Sequence, residues 1–331
     1  MIDGREQVSK QSGINRFFRS KLFTLLIVLA ILIIVLAVAS SGSFISVNNV
    51  KQILDQMFVP AMLTIGAGML IISGNIDLSS GALGTMAGLM MAYLIRDQGW
   101  AWYTAAIVTL AMSIGFGIFN AVMINELRFQ GFVATLATAS ITEGLSYTFS
   151  GGGTITVNDS FVRGFGAATV GPISLSVILL IVAFVLYGLI LTKTKFGRQM
   201  YIVGGNPQAA RLAGVNPKRV SYILFANSAM LACLAGMFLT ARVTSATSAG
   251  IKNSQFSGIT AAILGGISFG GGSGNMAGAF FGLLILTAFT NGMISLGFDS
   301  YWRTVVSGLL LILALTFDYI SIQRTKKKML Q

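Results

Sequence analysis

The chain has 331 residues, 54% of them hydrophobic and 10% charged, with a mean hydropathy of +0.80; a soluble domain is about 25% charged, so an ordinary soluble fold is excluded and an integral membrane protein is required. A net charge of +12 would suggest nucleic acid in a soluble protein, but here the basic residues lie between apolar runs, so they set topology and no nucleic-acid partner is expected. One cysteine, Cys233, and no histidine exclude a disulfide framework, a thiolate metal cluster and any imidazole chemistry.

Arg16, Arg19 and Lys21 precede the run Leu22 to Ser40, which is long enough to cross a bilayer core of about 30 Å. Its end, Ala37-Val38-Ala39, has the form of a signal-peptidase site. A cleavable signal has an apolar region of roughly 7 to 15 residues, and further spans follow, so the run reads as an uncleaved first helix. Further spans are expected near 52–73, 79–95, 101–125, 131–150, 173–192, 219–240, 257–270, 276–296 and 303–320. The expected fold is therefore an all-α polytopic membrane protein of about ten transmembrane helices, because isolated strands cannot satisfy their backbone in lipid and the runs do not alternate as barrel strands do. With the N-terminus cytoplasmic, only Lys51, Arg96, Arg163, Arg242, Lys252 and Arg303 of the 22 basic residues fall outside. The positive-inside rule thus places both termini in the cytoplasm. This divides the chain into a cytoplasmic segment 1–21, a transmembrane domain 22–320 carrying a cytoplasmic loop 193–218, and a basic cytoplasmic tail 321–331.

ISGNIDLSSGALGTMAG, Ile72 to Gly88, can be laid over ILGGISFGGGSGNMAG, Ile263 to Gly278, with one gap, so that Gly74 meets Gly265. This is either chance similarity in a glycine-rich chain or a duplicated, interrupted helix of the sort that exposes polar backbone beside a transport path. Gly74, Asp77, Gly265 and Gly266 are the candidate break and cap residues. Gly84-x-x-x-Gly88 and Gly278-x-x-x-Gly282 fit small-residue packing, within the chain or between subunits.

Other patterns fail on chemistry. Gly266-Ile267-Ser268-Phe269-Gly270 fits a nucleophile elbow, but no histidine exists to take the serine proton. Gly272-Ser273-Gly274-Asn275-Met276-Ala277 fits a dinucleotide fingerprint, yet it joins two apolar spans rather than following a strand. No phosphate-binding G-x-x-x-x-G-K-[ST] occurs, so no nucleotide cofactor is expected on this chain; if transport uses ATP, another polypeptide must bind it with its Mg. An intramembrane enzyme would be left with carboxylates, because no lysine falls inside an expected span.

Intramembrane carboxylates are costly and tend to mark function. Asp77, in the first break, reads as a helix cap or a functional acid; Glu143 either lines a cavity with Asn120 and Asn291 or pairs within the bundle. Asn75, Asn120, Phe132, Thr135, Glu143 and Asn291 are the candidates for a solute pathway.

The central stretch TKFGRQMYIVGGNPQAARLAGVNPKR is polar and basic. Gln208 to Gly214 reads as a short helix, with Asn206 as N-cap, Pro207 in the first position and Gly214 as the stop. Such a helix, held by two loops, either fits a cleft on a cytoplasmic partner or merely sets topology. The segment resembles the coupling region of permease subunits of bacterial ABC importers of the ribose, galactose and arabinose type. Its T-x-F-G-R, I-G-G-N and A-A-R-L-x-G-I pattern is matched by Thr194, Phe196, Gly197, Arg198, Gly204, Gly205, Asn206, Ala209, Ala210, Arg211, Leu212 and Gly214. Ile76-Asp77-Leu78-Ser79 resembles the family's G-I-D-L-S, with Asn75 for glycine; Gly131 to Thr138 is similar to P-F-x-x-T-L-G-T, with Gly131 for proline; and Leu264-Gly265-Gly266 with the following glycines resembles V-L-G-G-x-S-x-x-G-G-x-G. One departure is that Gln255 and Ser257 stand where the family commonly has two acids in E-L-D-A-I-A-A.

The resemblance implies a multi-pass permease of the bacterial inner membrane that dimerises with itself or a homologue. It would receive a monosaccharide from an extracytoplasmic solute-binding protein and couple to a cytoplasmic ABC ATPase through Phe196, Gly197, Arg198, Gly204, Gly205, Asn206, Ala209, Ala210, Arg211 and Gly214. The competing readings are a gradient-driven secondary transporter and an ABC importer for a non-sugar solute such as autoinducer-2 or a nucleoside.

Overall fold

The computed structural model describes residues 21–299 and 301–329, nearly all of them helical. Expectations for residues 1–20 and 330–331, and for the side chains of Lys21, Arg303, Arg324, Lys326, Lys327 and Lys328, lie outside the described residues.

In chain order the helices are α1 (Lys21–Ala39), α2 (Val47–Gln56), α3 (Phe58–Ile72), α4 (Ser80–Arg96), α5 (Trp102–Asn125), α6 (Gly131–Ser150), α7 (Ser160–Gly166) and α8 (Leu175–Lys193). They continue with α9 (Lys195–Gly205), α10 (Pro207–Leu212), α11 (Pro217–Val243), α12 (Ser254–Leu264), α13 (Met276–Ser295) and α14 (Trp302–Met329). Among the described residues α1, α5, α8, α11 and α13 are long and apolar enough to cross a membrane. Helices α2 and α3 add a sixth span if the pair, bent by 42°, counts as one. The other expected spans fall on shorter or more polar helices: α4 has 17 residues, α12 has 11, and α6 carries Ser, Thr and Glu along its length.

Two expectations need correction. The span expected at 257–270 stops at Leu264, because Gly266 takes a left-handed φ of +89° that ends the helix. The loop expected at 193–218 is largely helical: α9 forms where Thr194 caps Gly197 N–H at 3.1 Å and buries Met200 and Val203 on one face. Between α6 and α8 lie α7 and the strands β1 (Ile155–Thr156), β2 (Thr169–Val170) and β3 (Ile173–Ser174); β2 pairs antiparallel with β3, and β1 with β4 (Ser245–Ala246), which follows α11.

Helix α11 is the axis. It packs on α3, α4 and α5, and small residues let the backbones approach. Gly84 and Gly88 of α4 face the carbonyls of Ala232 and Gly236, and Gly117 of α5 faces the carbonyl of Phe225. Gly278 and Gly282 of α13 lie on Gly265 and Ala261 of α12. Both small-residue motifs are therefore occupied inside the chain.

A methyl on Gly236 would drive into the Gly84 backbone, whereas one on Gly115 meets nothing within 4 Å. Gly236→Ala should therefore cost about 1–3 kcal/mol, and Gly115→Ala should be neutral or slightly stabilising; thermal unfolding of the two purified variants checks this.

Candidate functional site

Four helices among the described residues end in the same way, α13 at Gly297 and three that bear on the site. Gly74 after α3 has φ +81°; its N–H donates to Ile71 O at 2.9 Å, and Asn75 N–H donates to Leu70 O at 2.9 Å. Gly266 after α12 repeats this with Ile263 O at 2.8 Å and with Ile267 N–H on Ala262 O at 3.1 Å. Gly214 after α10, at φ +77°, does the same with Arg211 O at 3.0 Å and with Val215 N–H on Ala210 O at 2.9 Å. Glycine adopts this conformation without steric cost. The backbone equivalent of Gly74 is thus Gly266, not Gly265 as the sequence overlay has it. Gly265, at φ −69°, is instead the residue on which Gly278 packs.

The two broken helices meet. Gly272 N–H, in the second break, donates to Ile72 O, at the end of α3, at 2.8 Å. Gly204, near the end of α9, is wedged between them: a Cβ there would run into Ile72 O and Gly272 N. Gly271 lies against Gly204 O and Gly74 Cα, and Tyr201 Oη of α9 donates to Gly274 O at 2.7 Å. The last turn of α9 therefore touches both breaks through backbone.

Helix α10 follows at once. Asn206 Oδ1 accepts from Gln208 N–H at 2.9 Å and Ala209 N–H at 3.0 Å, and Pro207 occupies the first position. Ala210 is buried, whereas Arg198, Ala209 and Arg211 are exposed and Leu212 is 91% exposed. Phe196 is half-buried, Gly197 sits against the carbonyls of Ile190 and Leu191, and Gly205 has open space around it. Beside α10 lies a groove of about 920 Å³ lined by Arg128, Arg211, Asn216 and Lys218. Lys218 Nζ donates to Glu126 at 2.6 Å and holds that carboxyl below its ordinary value. The clasp is therefore complete above the ordinary glutamate range and is lost as pH falls through the lowered folded value. Among the described residues Arg128 and Arg211 make no ion pair.

A second constellation lies deeper. Thr138 Oγ1 donates to Asn120 Oδ1 at 2.5 Å, Asn120 Nδ2 to Ser79 Oγ at 3.0 Å, and Ser79 Oγ to Asp77 Oδ1 at 2.5 Å. Ser79 N–H also donates to Oδ1 at 2.8 Å, and Ser228 Oγ of α11 donates to Oδ2 at 2.8 Å. All five residues are buried. Three donors converge on Asp77, as suits an acceptor-only carboxylate. Asp77 turns the chain into α4, but Ser79 is the residue at the cap position.

None of the six pathway candidates lines the groove beside α10. Asn120, Thr135 and Asn291 are buried, with Thr135 Oγ1 donating to Gly131 O at 2.9 Å and Asn291 Oδ1 without a partner among the described residues. Asn75 donates to Ser73 Oγ at 3.0 Å, and Phe132 is exposed. Glu143 pairs with Lys252 at 2.7 Å. Lys252 lies in the turn between α11 and α12, which folds back onto α4, where Ile251 N–H donates to Thr85 Oγ1 at 2.9 Å. Ser79 and Thr138 entered the sequence reading only as the last residues of two matched motifs, with no role given to either, and Ser228 escaped it, its one signal being a hydroxyl in the apolar run of α11. Gln255 is buried against Gly81, and Ser257 lines a second cavity of about 900 Å³ with Phe58, Phe238 and Arg242.

Ser228→Ala removes one of the donors to Asp77 and should cost about 1–3 kcal/mol; combined with Asn120→Ala the losses should be non-additive by at least about 0.5 kcal/mol. A double-mutant cycle on thermal unfolding measures both.

Residues 49–315 match the family model described as "Branched-chain amino acid transport system / permease component". The ribose import permease protein RbsC of Bacillus subtilis (strain 168) is 32% identical over 293 residues, covering 88% of this chain and 90% of that protein. The galactose/methyl galactoside import permease protein MglC of Escherichia coli (strain K12) is 30% identical over 341 residues, 96% of this chain and 99% of its own. The xylose transport system permease protein XylH of Haemophilus influenzae is 28% identical over 372 residues, 93% of this chain and 98% of its own. No solved structure matches the chain. The resemblance read from the coupling motif and the names of these relatives agree. With the match running from α2 into α14, the chain belongs to the branched-chain amino acid transport system permease family, as a multi-pass membrane permease and not an enzyme.

Proposed function

We propose that this chain is the permease subunit of an ATP-binding cassette importer in a bacterial inner membrane and that it carries a monosaccharide. The observation that carries the reading is the glycine junction: the element that would receive the ATPase, α9–α10, rests by backbone contact on both interrupted helices. Two copies, or one copy with a homologue, would form the pore, an extracytoplasmic binding protein would deliver the solute, and a cytoplasmic ATPase pair would bind ATP with Mg. About ten spans with both termini inside would place α9–α10 and the Arg128–Arg211 groove in the cytoplasm.

Nucleotide binding can shift the permease only through contacts that differ between its two states. Exposed Leu212 and the unpaired Arg128 and Arg211 supply a surface of apolar tip and positive charge for an ATPase cleft. Movement of α10 is passed on through Gly204, where backbone lies on backbone and no side chain can yield. Gly204 and Gly205 thus differ in role: one touches both breaks, the other links α9 to α10.

The relatives' names specify ribose, xylose and galactose, whereas the family description specifies branched-chain amino acids. The interior favours an uncharged polar solute. Among the described residues Asp77 is engaged by Ser79 and Ser228, and Glu143 by Lys252, so neither intramembrane carboxylate offers an unpartnered charge to an amino acid's ammonium.

In lipid discs, an ATPase that co-purifies with the chain should hydrolyse ATP faster with one sugar-loaded binding protein than with others. Uptake into vesicles should stop without ATP and survive collapse of the proton and sodium gradients; gradient dependence without an associated ATPase would establish the secondary-transport reading instead. Arg211→Glu should uncouple hydrolysis from uptake while leaving insertion intact. Gly204→Ala should do so as well, whereas Gly205→Ala should transport normally.

A further inference from the structure

The ion pair of Glu143 and Lys252 lies well away from the ends of α6. Glu143 lies about 18 Å along α6 from Gly131 at 1.5 Å per residue, more than halfway across a 30 Å core. Lys252 is at the same depth by independent contacts. Its carbonyl and that of Ile251 lie 2.7 and 2.8 Å from where a Cβ on Gly81 would stand, in the first turn of α4. That part of α4 packs beside Ala232, near the middle of the 27-residue α11. Yet the pair is not enclosed: the two side chains are 33% and 38% exposed on the chain.

A lipid-facing surface in this protein looks quite different. Helix α8 exposes Ile181, Val182, Val185, Leu186 and Leu189. Around Glu143, α6 exposes Ser140, Gly144, Tyr147 and Thr148 together with Ile141. Charged and hydroxyl side chains at this depth face water-filled cavities or bundle interiors, because hydrocarbon cannot replace their hydration.

We propose that Glu143 and Lys252 line a water-filled solute path along the outer half of α6, where a neutral polyhydroxyl solute exchanges hydrogen bonds with the carboxylate and the ammonium. The inference rests on the transport reading above, but not on the ATPase. An intact ion pair offers acceptors and donors to hydroxyl groups without presenting net charge, so it suits a sugar and disfavours an ion. Small Gly144 and Ser140 leave room for a solute beside the pair.

Cysteine labelling in the full chain tests this, starting from Cys233→Ala, since the native cysteine is buried. Gly144→Cys and Ser140→Cys leave both charges in place. In lipid discs, a permanently charged thiosulfonate should modify them within about tenfold of the rate at surface Thr169→Cys, and about a hundredfold faster than at Val182→Cys on α8, where a thiol in lipid stays protonated and unreactive. Modification of Gly144→Cys should abolish uptake, and the candidate sugar should slow the labelling. If both positions react no faster than Val182→Cys, the face meets lipid and the proposal fails. If they resist the reagent but form a disulfide between two chains, the face is a dry subunit contact and the proposal also fails. Fast labelling that blocks uptake with no requirement for ATP would uphold the path while overturning the importer reading.

Discussion

Helices α3 and α12 stop inside the protein, and each stop frees backbone N–H and C=O groups that hydrocarbon cannot satisfy. In a membrane such groups must find partners within the protein. Here they find them in one another and in the helix that follows the coupling motif's first residues. Gly272 N–H meets the Ile72 carbonyl, and Tyr201 covers the Gly274 carbonyl. This mutual satisfaction requires close backbone approach, which explains why glycine occupies positions 74, 204, 271 and 272. The local break, the contact between repeats and the seat of the coupling segment are consequences of one accounting problem.

The same constraint organises the interior around α11. Glycines on α4 and α13 bring helices close enough for dispersion to hold them where no hydrophobic effect operates between helices in lipid. Where side chains are polar they form a closed chain, from Thr138 through Asn120 and Ser79 to Asp77 and Ser228, that ties the first break to α5, α6 and α11. A movement of the break cannot leave these helices unaffected, because each buried donor would lose its acceptor. Asn125 donating to Ser221 and Glu126 paired with Lys218 fasten the far end of α5 to α11 beside the basic groove.

Much of this was legible in order but not in contact. The helix of Gln208 to Gly214, its Asn206 cap and its glycine stop follow from local chemistry, and the structure has α10 with that cap. The repeat was visible as composition, but its register was off by one residue: Gly265 and Gly266 are adjacent and alike in sequence, and only φ separates the helix stop from the packing residue. Helix α9 was read as loop because its glycines and basic residues weaken the apolar pattern, while its burial of Met200 and Val203 depends on neighbours far along the chain. Lys252 reads as a loop residue from its charge, and it does lie in the turn between α11 and α12, but no local pattern shows that Glu143 on α6 is its partner.

By itself the sequence determined that the chain is a membrane protein, that its middle is a basic segment built around a capped short helix, that two interrupted elements share a pattern, and that its motifs resemble those of importer permeases. Those properties reside in composition, in local capping and in the spacing of residues. The tertiary structure alone decided that the two breaks touch, that Gly204 stands between them, that Asp77 is held by Ser228, and that Glu143 meets Lys252. These pairings join residues far apart in the chain, and which distant partner satisfies a buried polar group is settled by helix packing, which no local pattern encodes.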